Sequence, residues 1–258
     1  GSDENPDYVD QPTMITAGQS VIDVYGWPSP NFADFDGDGE AEIGVAGSDF
    51  YIVADLECLA SPRPDFCSDR GIRWKVPNKD CSSRVTGSSV FDFEGDGKAE
   101  VVYNDECWIW VYDGATGEVR FAAPTQSFTG TEASVVADVD GNGHADILVV
   151  HNGANPNHWY CAEHDVPSDK YPVAWSKPAG GEAWRGLTVY TDAAESWVGT
   201  RTLWNQHAYS VTNICDPRDG ACEAGSYYGQ IPPKQKTNWT EGWLNNFRQN
   251  VQDEGLFN

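Results

Sequence analysis

Residues 33–43 read ADFDGDGEAEI. Asp34, Asp36, Asp38 and Glu42 crowd into nine positions, spaced by glycines, and an apolar run follows at once. Carboxylates this close repel one another, so the stretch is either a solvated turn or the wrapping of a cation.

The stretch recurs. Residues 91–102 read FDFEGDGKAEVV and residues 137–149 read ADVDGNGHADILV. Aligned on the first acid, the three copies are Asp34-x-Asp36-x-Asp38-Gly-x-x-Glu42, Asp92-x-Glu94-x-Asp96-Gly-x-x-Glu100 and Asp138-x-Asp140-x-Asn142-Gly-x-x-Asp146. Oxygen-bearing side chains fill positions 1, 3, 5 and 9, and glycine fills position 6 (Gly39, Gly97, Gly143). The first acids lie 58 and then 46 residues apart, the period of a structural repeat.

This pattern suits a hard cation. Calcium takes six to eight oxygens at about 2.3–2.6 Å, and alternating acids at positions 1, 3 and 5 of a tight loop converge on one point. Position 9 closes the shell. Position 7 offers only its backbone carbonyl, which leaves its side chain free to vary; it is Glu40, Lys98 and His144. An EF-hand would need an acid at position 12, where Val45, Tyr103 and Val149 stand instead. Magnesium, which prefers few protein ligands and ordered water, fits less well. The expectation is about three calcium ions.

Each acidic loop has the same neighbours. A short run such as SSVFDF (88–93) or ASVVAD (133–138) leads into it, and AEIGVAG, AEVVYND or ADILVVHN follows. A β-branched and aromatic run comes next: DFYIVADL (49–56), CWIWVYDG (107–114) or RGLTVYTD (185–192). IRWKVP (72–77), VRFAAP (119–124) and PVAWSKP (172–178) read as further strands. Short strands with Gly/Asp turns predict an all-β protein. Units of this length with about four strands predict a β-propeller, or part of one, built of four-stranded blades.

The boundaries expected are a loose segment at 1–19, then blades at 20–68, 69–122 and 123–198. The third blade carries an insertion at 151–183. Residues 199–258 form a loop-rich closing segment or partial blade, with a short helix within 240–255 behind Thr240 as N-cap. Three blades do not close a ring, so the open edge calls for the tail, another domain or another chain.

Composition narrows the partners. Lys and Arg number 16 against 40 Asp and Glu, a net charge of −24, which repels nucleic acid and anionic membrane surfaces. Eleven of those acids hold positions 1, 3, 5 and 9 of the loops. No apolar run is long enough to span a bilayer. The polar start carries no signal peptide, and Gly1-Ser2 is either a cloning scar or a mature terminus. Seven cysteines suggest disulfides and an oxidising exterior: Cys58–Cys67, Cys81–Cys107 and Cys215–Cys222, with Cys161 left over.

On these loops the chain resembles the FG-GAP or VCBS-type repeats of the integrin α-subunit propeller and of secreted bacterial proteins. The resemblance spans roughly 20–200. It implies largely structural calcium loops at the blade edges and a role in extracellular adhesion or recognition. Integrin propellers have seven blades, so ring size does not carry over.

Other constellations are less specific. Aromatic and amide side chains crowd the tail, and Trp204, Asn205, His207 and Tyr209 are the candidate contacts for a sugar or other ligand. His151, His158, Cys161 and His164 offer zinc-type ligands at a spacing that fits no common module. No nucleophile elbow, P-loop or HExxH occurs, so nothing marks an enzyme. The reading is a secreted or cell-surface calcium-binding propeller that recognises protein or polysaccharide. The alternatives are a secreted carbohydrate-active lyase or hydrolase, or a structural segment of a larger surface assembly.

Overall fold

The computed structural model describes residues 12–15, 20–23, 29–47, 50–80, 86–127, 133–153, 161, 174–181, 183–216, 227–232 and 248–252. Within these residues the protein is mainly β and antiparallel, with short 3₁₀ turns at Glu57–Leu59 and Val211–Asn213. A hairpin of β1 (Pro12–Ile15) and β2 (Ser20–Asp23) comes first, so part of the expected loose start is a strand. Two four-stranded meanders follow. The first is β3 (Asn31–Ala33), β4 (Glu42–Ala46), β5 (Phe50–Ala54) and β6 (Ile72–Pro77). The second is β7 (Ser89–Phe91), β8 (Glu100–Asn104), β9 (Trp108–Tyr112) and β10 (Val119–Pro124). A third sheet has three strands, β11 (Val135–Ala137), β12 (Asp146–Asn152) and β13 (Arg185–Thr191). IRWKVP therefore closes the first sheet.

Strands β7, β8 and β9 of the second sheet are buried on both faces, because side chains alternate and most of these residues are apolar. Val101, Tyr103, Trp108, Trp110 and Tyr112 face the first sheet and pack on Phe35, Tyr51, Val53 and Trp74. Val102, Ile109 and Val111 face the third and pack on Val136, Ile147 and Val149. Tyr51 is the hub of the first interface, with ring centres 5.8 Å from Trp74, 5.4 Å from Tyr103 and 6.0 Å from Tyr112. The first strands of successive sheets lie side by side, β3 by β7 and β7 by β11. Asn31 Nδ2 donates to the Ser88 carbonyl at 2.6 Å, and Ser89 Oγ donates to the Ser134 carbonyl.

The turn 113–117 of the second sheet is pressed onto the first. Trp74 Nε1 donates to the Gly114 carbonyl at 2.5 Å. A Cβ on Gly114 would lie 1.9 Å from the Ala99 carbonyl oxygen and 2.8 Å from that of Phe35, both backbone atoms that cannot swing aside. Gly114→Ala is therefore expected to cost about 3 kcal/mol or more, at or beyond the top of the usual overpacking range. Urea unfolding in excess calcium measures it; a loss within about 0.5 kcal/mol would show that the sheets part easily.

Two disulfides are formed between described residues. Cys58–Cys67 ties the β5–β6 connection, as expected. Cys107 bonds Cys161, not Cys81, and Cys161 is not left over. Spacing favoured the nearer partner, but Cys161 lies against the β8–β9 turn, with its Sγ 3.8 Å from the Glu106 carbonyl. Cys215 is also disulfide-bonded, while Cys81 and Cys222 lie outside the described residues.

The tail returns to the third sheet. Asn250 Nδ2 donates to the Val136 carbonyl at 2.8 Å, and Asp138 N donates to the Arg201 carbonyl at 3.0 Å. Of the helix expected over 240–255 only 248–252 is described, and it is irregular.

Candidate metal centres

The three acidic loops join the first two strands of their sheets, β3–β4, β7–β8 and β11–β12. They fold alike. The position 1 acid is the organiser: its Oδ1 accepts the N–H of position 4 and its Oδ2 that of position 6. In the first loop these are Gly37 N to Asp34 at 2.6 Å and Gly39 N at 2.9 Å. In the second they are Gly95 N to Asp92 at 2.6 Å and Gly97 N at 2.8 Å. In the third they are Gly141 N to Asp138 at 2.7 Å and Gly143 N at 3.1 Å. Both glycines of each loop have positive φ, 81° and 90° in the first, 68° and 87° in the second, 76° and 90° in the third. Only glycine adopts this readily, so the position 4 glycine is as necessary as the one at position 6.

The position 9 acid folds back on the loop from the first residue of β4, β8 or β12. Glu42 accepts from Phe35 N at 2.8 Å, Glu100 from Phe93 N at 3.0 Å and Asp146 from Val139 N at 2.8 Å. One carboxylate oxygen each from Asp34, Asp36 and Glu42 lie within 4.8 Å of one another. The same holds for Asp92, Glu94 and Glu100, and for Asp138, Asp140 and Asp146. Positions 1, 3 and 9 thus converge in every loop. Position 5 lies outside these triads, and Asp38 groups instead with Asp36 and Glu57. Glu57 was not singled out from the sequence, since nothing links it to the loop except the fold.

Among the described residues, acids outnumber cations around these pockets. Glu42, Glu100 and Asp146 are buried. Burial pushes the Glu42 carboxyl up to about 7 against the pull of the Phe35 N–H, and Asp36, Asp55 and Asp34 add repulsion. Glu100 is pushed up to about 8, again chiefly by burial, with Glu94 and Asp92 adding to it. Asp146 Oδ1 is buried and has no hydrogen-bond partner. A stranded carboxylate oxygen beside two more carboxylates is a place for a hard cation, and the all-oxygen donor set fits calcium.

In the first two repeats an arginine reaches the cluster. Arg73 Nη1 lies 2.5 Å from Asp36 and 2.9 Å from Asp55; Arg73 and Asp55 are buried and Asp36 is partly buried. Arg73 Nε donates to the Ala115 carbonyl at 2.8 Å, and the guanidinium covers the Phe66 ring at 4.4 Å. Arg120 lies 3.6 Å from both Glu94 and Asp113, half-exposed. The loops are also laced to one another. Ala99 N donates to the Asp34 carbonyl at 3.1 Å, while Val198 donates to Phe93 O at 2.9 Å and accepts from Ala145 N at 3.0 Å.

The other candidates separate. Tyr209 is fully buried, stacked on Trp204 at 4.8 Å, and its hydroxyl accepts from Arg201 and donates to Asn250. Trp204 is half-buried, while Asn205 and His207 are exposed. Asn205 Nδ2 donates to the Gly229 carbonyl at 2.9 Å. His151 is bound between Thr125 at 2.5 Å and Thr188 at 2.7 Å, and Cys161 is in a disulfide, so the zinc-type set does not hold together. His158 and His164 lie outside the described residues. Among these residues no helix is long and apolar enough to cross a membrane.

Residues 85–149, which span the second and third loops, match the FG-GAP-like repeat family. No curated protein matches the sequence. Among solved structures the chain is similar to the V. cholerae biofilm matrix protein Bap1, with a TM-score of 0.54 and 24% identity. That likeness is one of fold; it covers 81% of this chain and 27% of Bap1, so the chain spans about a quarter of that protein's length.

Proposed function

We propose that this chain, with an FG-GAP-like repeat at its centre, is a secreted or cell-surface calcium-binding module that recognises an extracellular protein or polysaccharide. The observation that carries the calcium reading is one loop built three times with the same hydrogen bonds, each closed by a buried acid. Asp34, Asp36, Asp38 and Glu42 would hold the first ion, with the Glu40 carbonyl. Asp92, Glu94, Asp96 and Glu100 would hold the second, with the Lys98 carbonyl. Asp138, Asp140, Asn142 and Asp146 would hold the third, with the His144 carbonyl. Calcium would supply charge compensation there and stiffen the entry to each second strand.

The side-by-side first strands and the face-to-face cores suit successive blades of a β-propeller. The disulfides suit an oxidising exterior. The recognition role draws on the repeat family and on the similar fold of a biofilm matrix protein. Trp204, Asn205 and His207 remain the contact residues to test; Tyr209 serves the core beneath them.

The test is calcium content by elemental analysis, followed by capture on immobilised extracellular polysaccharide and matrix protein with calcium or with EGTA. About three ions per chain and capture lost in EGTA are expected. A metal-free protein, or capture indifferent to chelation, would overturn the reading.

A further inference from the structure

Arg73 and Arg120 occupy the same place in successive sheets. On β6 the pairing with β5 runs from Ile72↔Ala54 to Trp74↔Val53 and skips Arg73. On β10 the pairing with β9 runs from Val119↔Tyr112 to Phe121↔Val111 and skips Arg120. Each arginine is thus the extra residue of a β-bulge, the device that re-aims a side chain out of the ladder. Each is aimed at the same two acids: position 3 of the loop, and the residue just after the third strand's end. The pairs are Asp36 with Asp55, and Glu94 with Asp113.

Among the described residues the third repeat lacks the device, and no arginine is paired with its loop acids. Its sheet has no fourth strand among the described residues. By register, Ala54 pairs Ile43, Tyr112 pairs Val101 and Tyr190 pairs Ile147, so Thr191 stands where Asp55 and Asp113 stand. The nearby Asp192 is held instead by Ser196, whose Oγ lies 2.5 Å away. Asp146 of the third loop keeps a buried oxygen with no hydrogen-bond partner.

Resting on the calcium reading above, we infer that the bulge arginines are resident countercharges that grade the three loops in cation affinity. The third loop, with no arginine, binds a divalent ion most tightly. The second, with a half-exposed arginine at 3.6 Å, is intermediate. The first, with a buried arginine at 2.5 Å from its position 3 acid, is weakest. Arg73 and Arg120 touch no ion in this scheme; they act through the carboxylates they hold. A unit positive charge several ångströms from a divalent ion weakens its binding roughly three- to tenfold even in a water-like dielectric. Burial strengthens that repulsion at the first loop, and salt screens it at the second.

The experiment is calorimetric titration of the chelator-stripped full chain with calcium at low and high salt. Asp34→Ala, Asp92→Ala and Asp138→Ala each delete one site and so assign the transitions. Asp138→Ala should remove the tightest and Asp34→Ala the weakest. Arg120→Met, at a half-exposed position that folding tolerates, should tighten the transition assigned to Asp92 by roughly three- to tenfold at low salt and by less at high salt. Arg120→Lys keeps the charge and should tighten it far less. A purely structural role for Arg120 predicts no gain in affinity. If Asp34→Ala removes the tightest site, or Arg120→Met leaves its site unchanged or weaker, the grading is overturned while the calcium reading stands. If no loop binds calcium, both fall together.

Discussion

In excess EGTA the protein should melt on the order of 20 °C below its temperature in saturating calcium. Three sites, each filled at about 100 times its Kd, contribute roughly 8 kcal/mol, because each adds about 2.7 kcal/mol to the folded state alone. A domain of this size loses about 2–4 °C per kcal/mol. The whole stability of an ordinary domain is about 5–15 kcal/mol, so the stripped protein sits near its limit. The structural reason is the burial of Glu42, Glu100 and Asp146 beside other carboxylates. In the proposed reading these acids would be calcium ligands, and without the ion they would have to protonate or repel. Calorimetry in calcium, in EGTA and in EGTA followed by calcium reads this directly. Superimposable curves would mean that the loops are plain turns.

Arg73→Met should cost about 3–5 kcal/mol when measured in EGTA, the range for breaking a buried ion pair by removing one partner. The substitution leaves Asp36 and the buried Asp55 without the arginine between them. It also removes the bond to the Ala115 carbonyl, which joins the first sheet to the second. Arg120→Met is the internal control. Its partners are at 3.6 Å and its side chain is half-exposed, so its loss should stay within about 1 kcal/mol. Urea unfolding of both variants decides. Equal costs would show that the buried arginine contributes no more than a surface one.

Much of the candidate site is legible in the sequence, because its signal is local. Acids at alternate positions and a glycine at position 6 need only the chain's own geometry to converge, and the structure brings positions 1, 3 and 9 together. The middle sheet was legible for a similar reason, since WIWVY can only be a strand covered on both faces. What stayed hidden depends on pairing. Arg73 and Arg120 look like ordinary strand residues until the bulge turns them toward the loops. The recurrence of an Ile/Val-Arg-Trp/Phe triplet after the first two aromatic strands was the available clue. Position 5 illustrates the converse: the pattern places Asp38 with the loop triad, yet it groups with Glu57 from a turn fifteen residues beyond Glu42. The cysteines could not be paired by distance along the chain, because Cys107 reaches past a whole sheet to Cys161.

That long reach has a consequence for proteolysis. The Cys107–Cys161 bond closes a ring of chain that contains β9, β10, β11 and β12. A single backbone cut anywhere inside this ring opens a circle and releases no fragment. The severed halves stay fastened both by the bond and by the sheets they share. The third ion loop, between β11 and β12, lies within this ring, so damage there is held in place long enough for the fold to outlast it.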